Sequence, residues 1–330
     1  MDCELKFKDQ LSAMLLKALL SASVIVSLIM VSSIGFAQTN ETDSAGLLEN
    51  GQAKEIITPK SSDEIKVISY NIRWRSGAEL QQITRWLKDS TGSGPAIIGL
   101  QEVDRAKQRT GRINHAKAIA DALGMYYAWA APSGPAGGKK SEEETGVEIL
   151  SSYPLTDISR IVLPNPGPGA RQRVAIAATI TIWKSSVRVY SVHSETRLTI
   201  ARKVDQWRAV LTDLDRFPKG TPAVVLGDFN TWELPAVEGV RKLFTDAGFT
   251  TALPGDESTF YRKALMFDVK LKLDWIWLRG LSAQKYGIDR SLTVSDHFPL
   301  WTTATIGEAG ITARTAGDTP QRVSTTCVSG

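Results

Sequence analysis

Short apolar runs, most of them closed by a polar or charged residue, recur along this chain and restrict it to folds built on buried sheets. They are "IKVISYNI" (65–72), "AIIGL" (96–100), "GVEILSS" (146–152), "VAIAATITIW" (174–183), "VRVYSVH" (187–193), "AVVLGDF" (223–229), "LKLDWIWL" (271–278) and "PLWTTATI" (299–306). Runs this short, bounded by turn residues, read as buried strands rather than helices. Helical patterns separate several of them. Leu80, Ile83, Trp86 and Leu87 share a face of "GAELQQITRWLKDS", and Val204, Trp207, Val210 and Leu211 share a face of "IARKVDQWRAVLTDLDRF". A third, "GRINHAKAIADALG", ends in a glycine stop. "RVAIAATITIW" followed by "VRVYSVH" predicts an antiparallel hairpin turning near Lys184-Ser185-Ser186. Mixed pairing with interspersed helices predicts an α/β domain, α+β in some schemes, with large sheets.

The rest of the chain bounds that domain. Of its 330 residues, 22% are charged and 42% apolar, which is a globular balance. The net charge of +4 tolerates a polyanionic substrate without arguing for one. Ala18 to Phe36 carries no charge, and Gly35-Phe36-Ala37 supplies small residues at −3 and −1 of a cleavage before Gln38. Residues 1–37 therefore read as a signal peptide, and the protein as exported, periplasmic or secreted. The alternative is a membrane anchor over 18–36. The acidic start (Asp2, Glu4, Asp9) lacks the usual positive n-region, which a start at Met14 would restore. The two cysteines, Cys3 and Cys327, offer no disulfide framework. Polar, aperiodic residues 38–62 read as a linker and 307–330 as a disordered tail, leaving 63–306 as one domain.

Polar groups stand just past, or within, the apolar segments. Asn71 ends "VISYN", Glu102 follows "AIIGLQ", His193 follows "VYSV", Asp228 and Asn230 follow "VVLG", Asp274 interrupts "LKLDWIWL", and Asp296 and His297 precede "FPLW". Ligands of open α/β sheets gather beyond strand ends, so these groups are expected to converge. The set is rich in acids and amides, has two histidines and no thiolate. It suits Mg²⁺ or Mn²⁺ better than Zn²⁺, and with a carboxylate base it is a kit for attacking a phosphate ester with water. Other kits are missing: there is no G-x-S-x-G elbow, no G-x-G-x-x-G after a strand, and "SGPAGGKKS" (133–141) lacks the first glycine of a P-loop.

"ISYNIRW", "IIGLQEVD", "GVEILSSYPL", "YSVHSETR", "VVLGDFNTW", "LDWIWL" and "VSDHFPLW" occur in an order that resembles the endonuclease/exonuclease/phosphatase superfamily across residues 64–306. The resemblance implies a four-layer α/β sandwich, two packed mixed β-sheets flanked by helices, that hydrolyses phosphate esters with Mg²⁺ or Mn²⁺. It makes Glu102 the principal metal ligand with Asn71 close by and Asp296 in support. Asp228 would orient or deprotonate the water, with Asn230 holding that geometry. His297 would contact the phosphate, its ring oriented by Asp274, and His193 would face the phosphate or leaving group. Arg73 and Arg173 are candidates for phosphate contacts; Arg75 and Arg171 are weaker ones.

Arg73, where abasic-site endonucleases tend to carry an acid, and the presence of His193 point to the deoxyribonuclease and sphingomyelinase branches. Glu148 stands where the family usually has a small residue. His115 reads as a helix residue outside the site. Trp74, Trp275, Trp277 and Trp301 read as core, and Trp232 as a residue that could line the cleft. The resemblance implies a phosphate-ester substrate, either nucleic acid or a lipid headgroup or small phosphodiester. A lipid enzyme should carry exposed apolar loops near its cleft, for which "ELPAVEG" (233–239) and "ALMFDV" (264–269) are weak candidates. No protein partner is implied, and the chain reads as a monomer. The competing class is a catalytically inactive binding module of the same fold.

Overall fold

The computed structural model describes residues 46–132, 144–164, 169–307 and 321–322. The segment 18–36, both cysteines, residues 133–141 and most of the stretch after residue 307 lie outside the described residues. The strands are β1 Leu48–Gln52, β2 Ile65–Asn71, β3 Ala96–Arg105, β4 Tyr126–Ala130, β5 Glu144–Ser151, β6 Leu155–Leu163, β7 Arg173–Ile182 and β8 Ser185–His193. They continue as β9 Ala223–Asp228, β10 Thr250–Thr251, β11 Phe260–Ala264, β12 Phe267–Leu271, β13 Asp274–Arg279, β14 Leu281–Ile288, β15 Leu300–Ile306 and β16 Gln321–Arg322. The helices are α1 Gly77–Thr91, α2 His115–Leu123, α3 Ile200–Leu214 and α4 Leu234–Asp246.

One sheet runs β1-β4-β5-β3-β2-β15-β14 with the two-residue β16 at its edge, and the other runs β10-β13-β9-β8-β7-β6. Each is mixed. Near the middle of each lies a parallel pair joined through a helix, β2-α1-β3 in the first and β8-α3-β9 in the second. The remaining pairings of the long strands are antiparallel.

Strand parity builds the layers. Along β2, Ile65 and Val67 enter a core shared with Val187, Val189, Val224, Leu226 and Ile276 from the opposite sheet. Ile68 and Tyr70, on the other face, pack with Ile83 and Leu87 of α1 and Ile119 of α2. Val225, Trp275 and Trp277 on the outer face of the second sheet pack with Trp207 of α3 and Phe244 of α4. The order is helices, sheet, sheet, helices: the expected four-layer sandwich. All three cores are drawn from residues 47–306.

Three segments depart from the sequence reading. Leu48–Gln52, inside the expected linker, is an edge strand paired with β4. It lacks an apolar alternation: Leu48 packs on the inter-sheet core, and Glu49 accepts bonds from Arg105, Asn114 and Tyr127. "ELPAVEG" is no loop but the entry and first half of α4, with Pro235 in the first turn, where its missing N–H is tolerated. Within the expected disordered tail, Gln321–Arg322 pairs with β14. The β7–β8 hairpin forms as expected, turning through Trp183 and Lys184.

Candidate active site

The inner faces of the two sheets change character along their length. Ile65 and Val67 give way at the same parity to Ser69 and Asn71, and Ile97 gives way to Gly99 and Gln101. Val187 and Val189 lead to Ser191 and His193, Val224 and Leu226 to Asp228, and Leu278 and Ile276 to Asp274. The inter-sheet core is thus apolar over most of its extent and polar at one end, the carboxyl end of both parallel pairs. Gln101 Nε2 donates to Ser191 Oγ (3.1 Å) across the sheets at the boundary. Beyond it a cleft of about 340 Å³ opens.

Gly227 explains how Asp228 reaches that cleft. Its φ is 139°, and a Cβ there would lie 2.0 Å from the Val192 carbonyl oxygen, so only glycine fits between β9 and β8. Asp228 Oδ2 accepts from Asn71 Nδ2 (3.0 Å), and Oδ1 accepts from the Asn230 N–H (3.0 Å). Asn230 is held in turn: its Nδ2 donates to Ser194 O (2.8 Å), and buried Lys203 donates to its carbonyl (2.9 Å). Glu102 sits in a bulge of β3, its Oε1 3.4 Å from Asn71 Nδ2, while Oε2 has no hydrogen-bond partner among the described residues. Arg73, Trp74, Glu102 and Asn230 all have positive φ (49°, 45°, 56° and 51°). Such strain in non-glycine residues persists where the surroundings over-determine it, and it clusters at functional sites.

The two histidines are poised differently. His297 Nδ1 lies 2.9 Å from Asp274 Oδ2, and Nε2 lies 3.7 Å from Asp228 Oδ2. Burial disfavours its imidazolium, but the Asp274 and Asp228 carboxylates outweigh that and push its pKa up to about 10. His193 goes the other way: burial, then the charges of Arg173 and His297, hold it well below the ordinary range, so it is neutral. Arg173 Nη1 lies 3.4 Å from His193 Nδ1. A guanidinium only donates, so the ring proton sits on Nε2, aimed at Asp228 Oδ2 (3.6 Å) and Glu102 Oε1 (4.0 Å). Burial raises the Asp228 carboxyl, with His297 and the Asn71 and Asn230 bonds restraining the rise.

Asn71, Arg73, Glu102, Arg173, His193, Asp228, Asn230, Asp274, Asp296 and His297 are all in or against this cleft. Asp296 and Arg73 line it as a pair, Nη1 to Oδ2 at 2.8 Å, so each engages the other. Arg75 and Arg171 do not line it. Trp232 does and is half-exposed, whereas Trp74 and Trp301 are only partly buried rather than core. Glu148 is buried beside Trp129 on the helix-facing side of its sheet and does not line the cleft, nor does His115.

Sequence reasoning missed three supports. Thr259 Oγ1 donates to Asp274 Oδ2 (2.7 Å) and accepts the Leu273 and Asp274 N–H groups. Buried Glu195 holds Arg173 (3.0 Å), which "HSETR" hints at by its unusual acid. Phe260 packs edge-on to His297, ring centres 5.1 Å apart. Nothing in the irregular sequence around Thr259 and Phe260 signals these contacts.

Asp228, Asp274 and His297 can each offer a ligand atom within 4.8 Å of the others. The Nδ1–Asp274 bond occupies two of those three residues with each other, which makes them a dyad better than a metal cage. Glu102 fits a cation better: a strained, cleft-lining carboxylate with an open oxygen beside an amide, a hard-oxygen set of the Mg²⁺ or Mn²⁺ type.

The Endonuclease/Exonuclease/phosphatase family matches residues 68–297. The chain belongs to this family. Its fold is also that of solved structures. One is an endonuclease/exonuclease/phosphatase from Beutenbergia cavernae DSM 12333, with TM-score 0.60, 16% identity, 76% of this chain and 74% of that one covered. Another is D. rerio TDP2 complexed with single strand DNA product, with TM-score 0.56, 15% identity and 74% and 100% coverage. A third is the mannosyl-6-phosphatase Bt3783 of Bacteroides thetaiotaomicron VPI-5482, with TM-score 0.52, 18% identity and 73% and 99% coverage. No curated protein sequence matches the chain. The family is one of enzymes that cleave phosphate esters, and the fold expected from the motifs is the fold observed.

Proposed function

We propose that this protein is an exported, metal-dependent phosphoesterase that hydrolyses a phosphodiester or phosphomonoester by attack of water. The convergence of Asp228, His193 and the Asp274-bound His297 on one cleft, beside the open carboxylate of Glu102, carries this reading. Glu102, with Asn71 beside it, would hold Mg²⁺ or Mn²⁺, which when bound supplies Lewis-acid charge to a phosphate. Asp228, raised by burial toward the pH at which a base works best, accepts the proton of the attacking water. Asn71 and Asn230 fix its two oxygens, so the base cannot rotate away. His297, charged and oriented by Asp274, donates from Nε2 to the phosphate as negative charge builds in the transition state. Neutral His193 presents its Nε2 proton beside Asp228, toward phosphate or leaving group. Arg173, clamped by Glu195, adds a guanidinium to the same anion.

The test is hydrolysis of bis(p-nitrophenyl) phosphate, a phosphomonoester and plasmid DNA by the chain from Gln38 onward, with Mg²⁺, with Mn²⁺ and with a chelator. Turnover should require metal and fall by about 10³-fold or more in Asp228→Ala and His297→Ala. Metal-independent turnover, or variants as active as wild type, would overturn the reading. Export rests on the uncharged stretch 18–36 and the small residues before Gln38. Amino-terminal sequencing of protein recovered outside the cytoplasm should start at Gln38; an intact, membrane-bound chain would favour an anchor instead.

A further inference from the structure

The β11–β12 hairpin stands at the rim of the cleft and is apolar where a soluble hairpin is polar. Its register pairs Phe260 with Leu271, Arg262 with Val269 and Ala264 with Phe267. Opposed residues share a face, so one mostly apolar face runs from the cleft, where Phe260, Arg262 and Leu271 line the wall, out to the tip. There Leu265, Met266 and Phe267 are 94%, 89% and 71% exposed in direct succession. Leu265 also has φ 54° at the first central position of the turn, where two-residue hairpins favour glycine or asparagine. Folding gains nothing from an exposed leucine held in that conformation.

The charges around the tip say what would cover it. Arg262, Lys263 and Lys270 are exposed, and none forms an ion pair among the described residues. The hairpin's one acid, Asp268, accepts a bond from Tyr261. Adjacent large apolar side chains beneath a collar of cations match an anionic bilayer, with the tip in the acyl boundary and the cations among headgroup phosphates. A nucleic acid would use the cations but would leave Leu265 and Met266 without a partner, because bases stack on aromatic and guanidinium faces. The root of the hairpin is tied to the catalytic loop. Tyr261 N donates to Asp296 O (2.8 Å) and Phe298 N to Thr259 O (2.7 Å), flanking His297. The turn thus begins about 17 Å, five strand residues, beyond the residue packed on His297.

We propose that the β11–β12 hairpin is a membrane-docking element that seats the mouth of the cleft on an anionic lipid surface. Docking does not depend on the catalytic reading, so the test separates the two. The chain from Gln38 onward, which contains all three cores, is sedimented with vesicles of phosphatidylcholine plus phosphatidylserine and of phosphatidylcholine alone. Binding of a single-stranded oligonucleotide is measured in parallel. Wild type should sediment with the mixed vesicles and less with the neutral ones. Leu265→Ser/Met266→Ser/Phe267→Ser should lower that binding by about tenfold or more, and Lys263→Glu/Lys270→Glu should abolish the preference for the anionic vesicles. Both should keep wild-type turnover of bis(p-nitrophenyl) phosphate within about twofold, while Asp228→Ala should bind vesicles normally. Wild type that stays in the supernatant overturns the proposal. So does a triple serine variant that sediments like wild type, or one that loses oligonucleotide instead of vesicle binding.

Discussion

Asp228 and Asp274 are register partners across the β9–β13 ladder, two buried carboxylates side by side. Like charges in that arrangement repel. His297 lies between them, bonded to Asp274 through Nδ1 and 3.7 Å from Asp228 through Nε2, and its positive charge resolves the conflict. The same pairing that makes the histidine basic keeps its second nitrogen directed into the cleft.

Asp274→Asn should therefore act through His297 and not through substrate affinity. The amide cannot compensate the imidazolium, and it leaves the ring free to adopt the wrong tautomer. We expect kcat for a soluble phosphodiester to fall by about 10²–10⁴-fold with KM changed less than about threefold. A change confined to KM would remove Asp274 from the role of positioning His297.

Glu195 should control the grip on the phosphate through Arg173. Glu195→Gln keeps the size but loses the charge that fixes the guanidinium, so KM should rise by about three- to tenfold with little change in kcat. Arg173→Lys, which loses the planar fork, should match or exceed it. Steady-state kinetics on the two variants and the double variant checks this. Additive effects would mean that the two residues do not act as one unit.

Glu102 should be the residue through which metal stabilises the fold. A cation that binds only the native state raises stability by about 2.7 kcal/mol at one hundred times its dissociation constant. Thermal denaturation with and without Mg²⁺ should show a rise in Tm for wild type and none for Glu102→Gln. An equal rise in the variant would place the cation elsewhere.

Glu148 sets a pH dependence of stability away from the cleft. Burial, with a smaller push from Glu49, holds its carboxyl well above the ordinary 4.5, and neither oxygen has a hydrogen-bond partner among the described residues. In the folded chain it keeps its proton; unfolded, it releases the proton above that ordinary value. Its contribution is most favourable below the unfolded pKa. It is lost at about 1.4 kcal/mol per pH unit as pH rises toward the folded one. Glu148→Gln should melt higher than wild type at pH 8 and lose that advantage toward pH 4. Parallel stability curves across that range would refute the buried acid.

The strands that carry the site, three of the four helices and the polar residues of the cleft were legible in the sequence, because both signals are local. Apolar runs of strand length need no partner to be recognised, and an acid or amide closing one is visible in "VVLGDFN" or "VISYN" as it stands. Which of these residues meet depends on the packing of the sheets. Parity puts Asn71, His193, Asp228 and Asp274 on the inner faces, but only the packing of one sheet on the other turns four separate strand ends into one cleft. Thr259, Glu195 and Phe260 escaped because they lie in segments without periodicity, and their partners are distant in the chain or reached by a side-chain bond alone. The edge strand Leu48–Gln52 escaped for a related reason: it has one core-packed leucine and polar contacts to Glu49 but no apolar alternation. The tip "LMF" is plain in the sequence as three apolar residues. Their exposure follows from the hairpin's register, which leaves the tip without a neighbour in the fold.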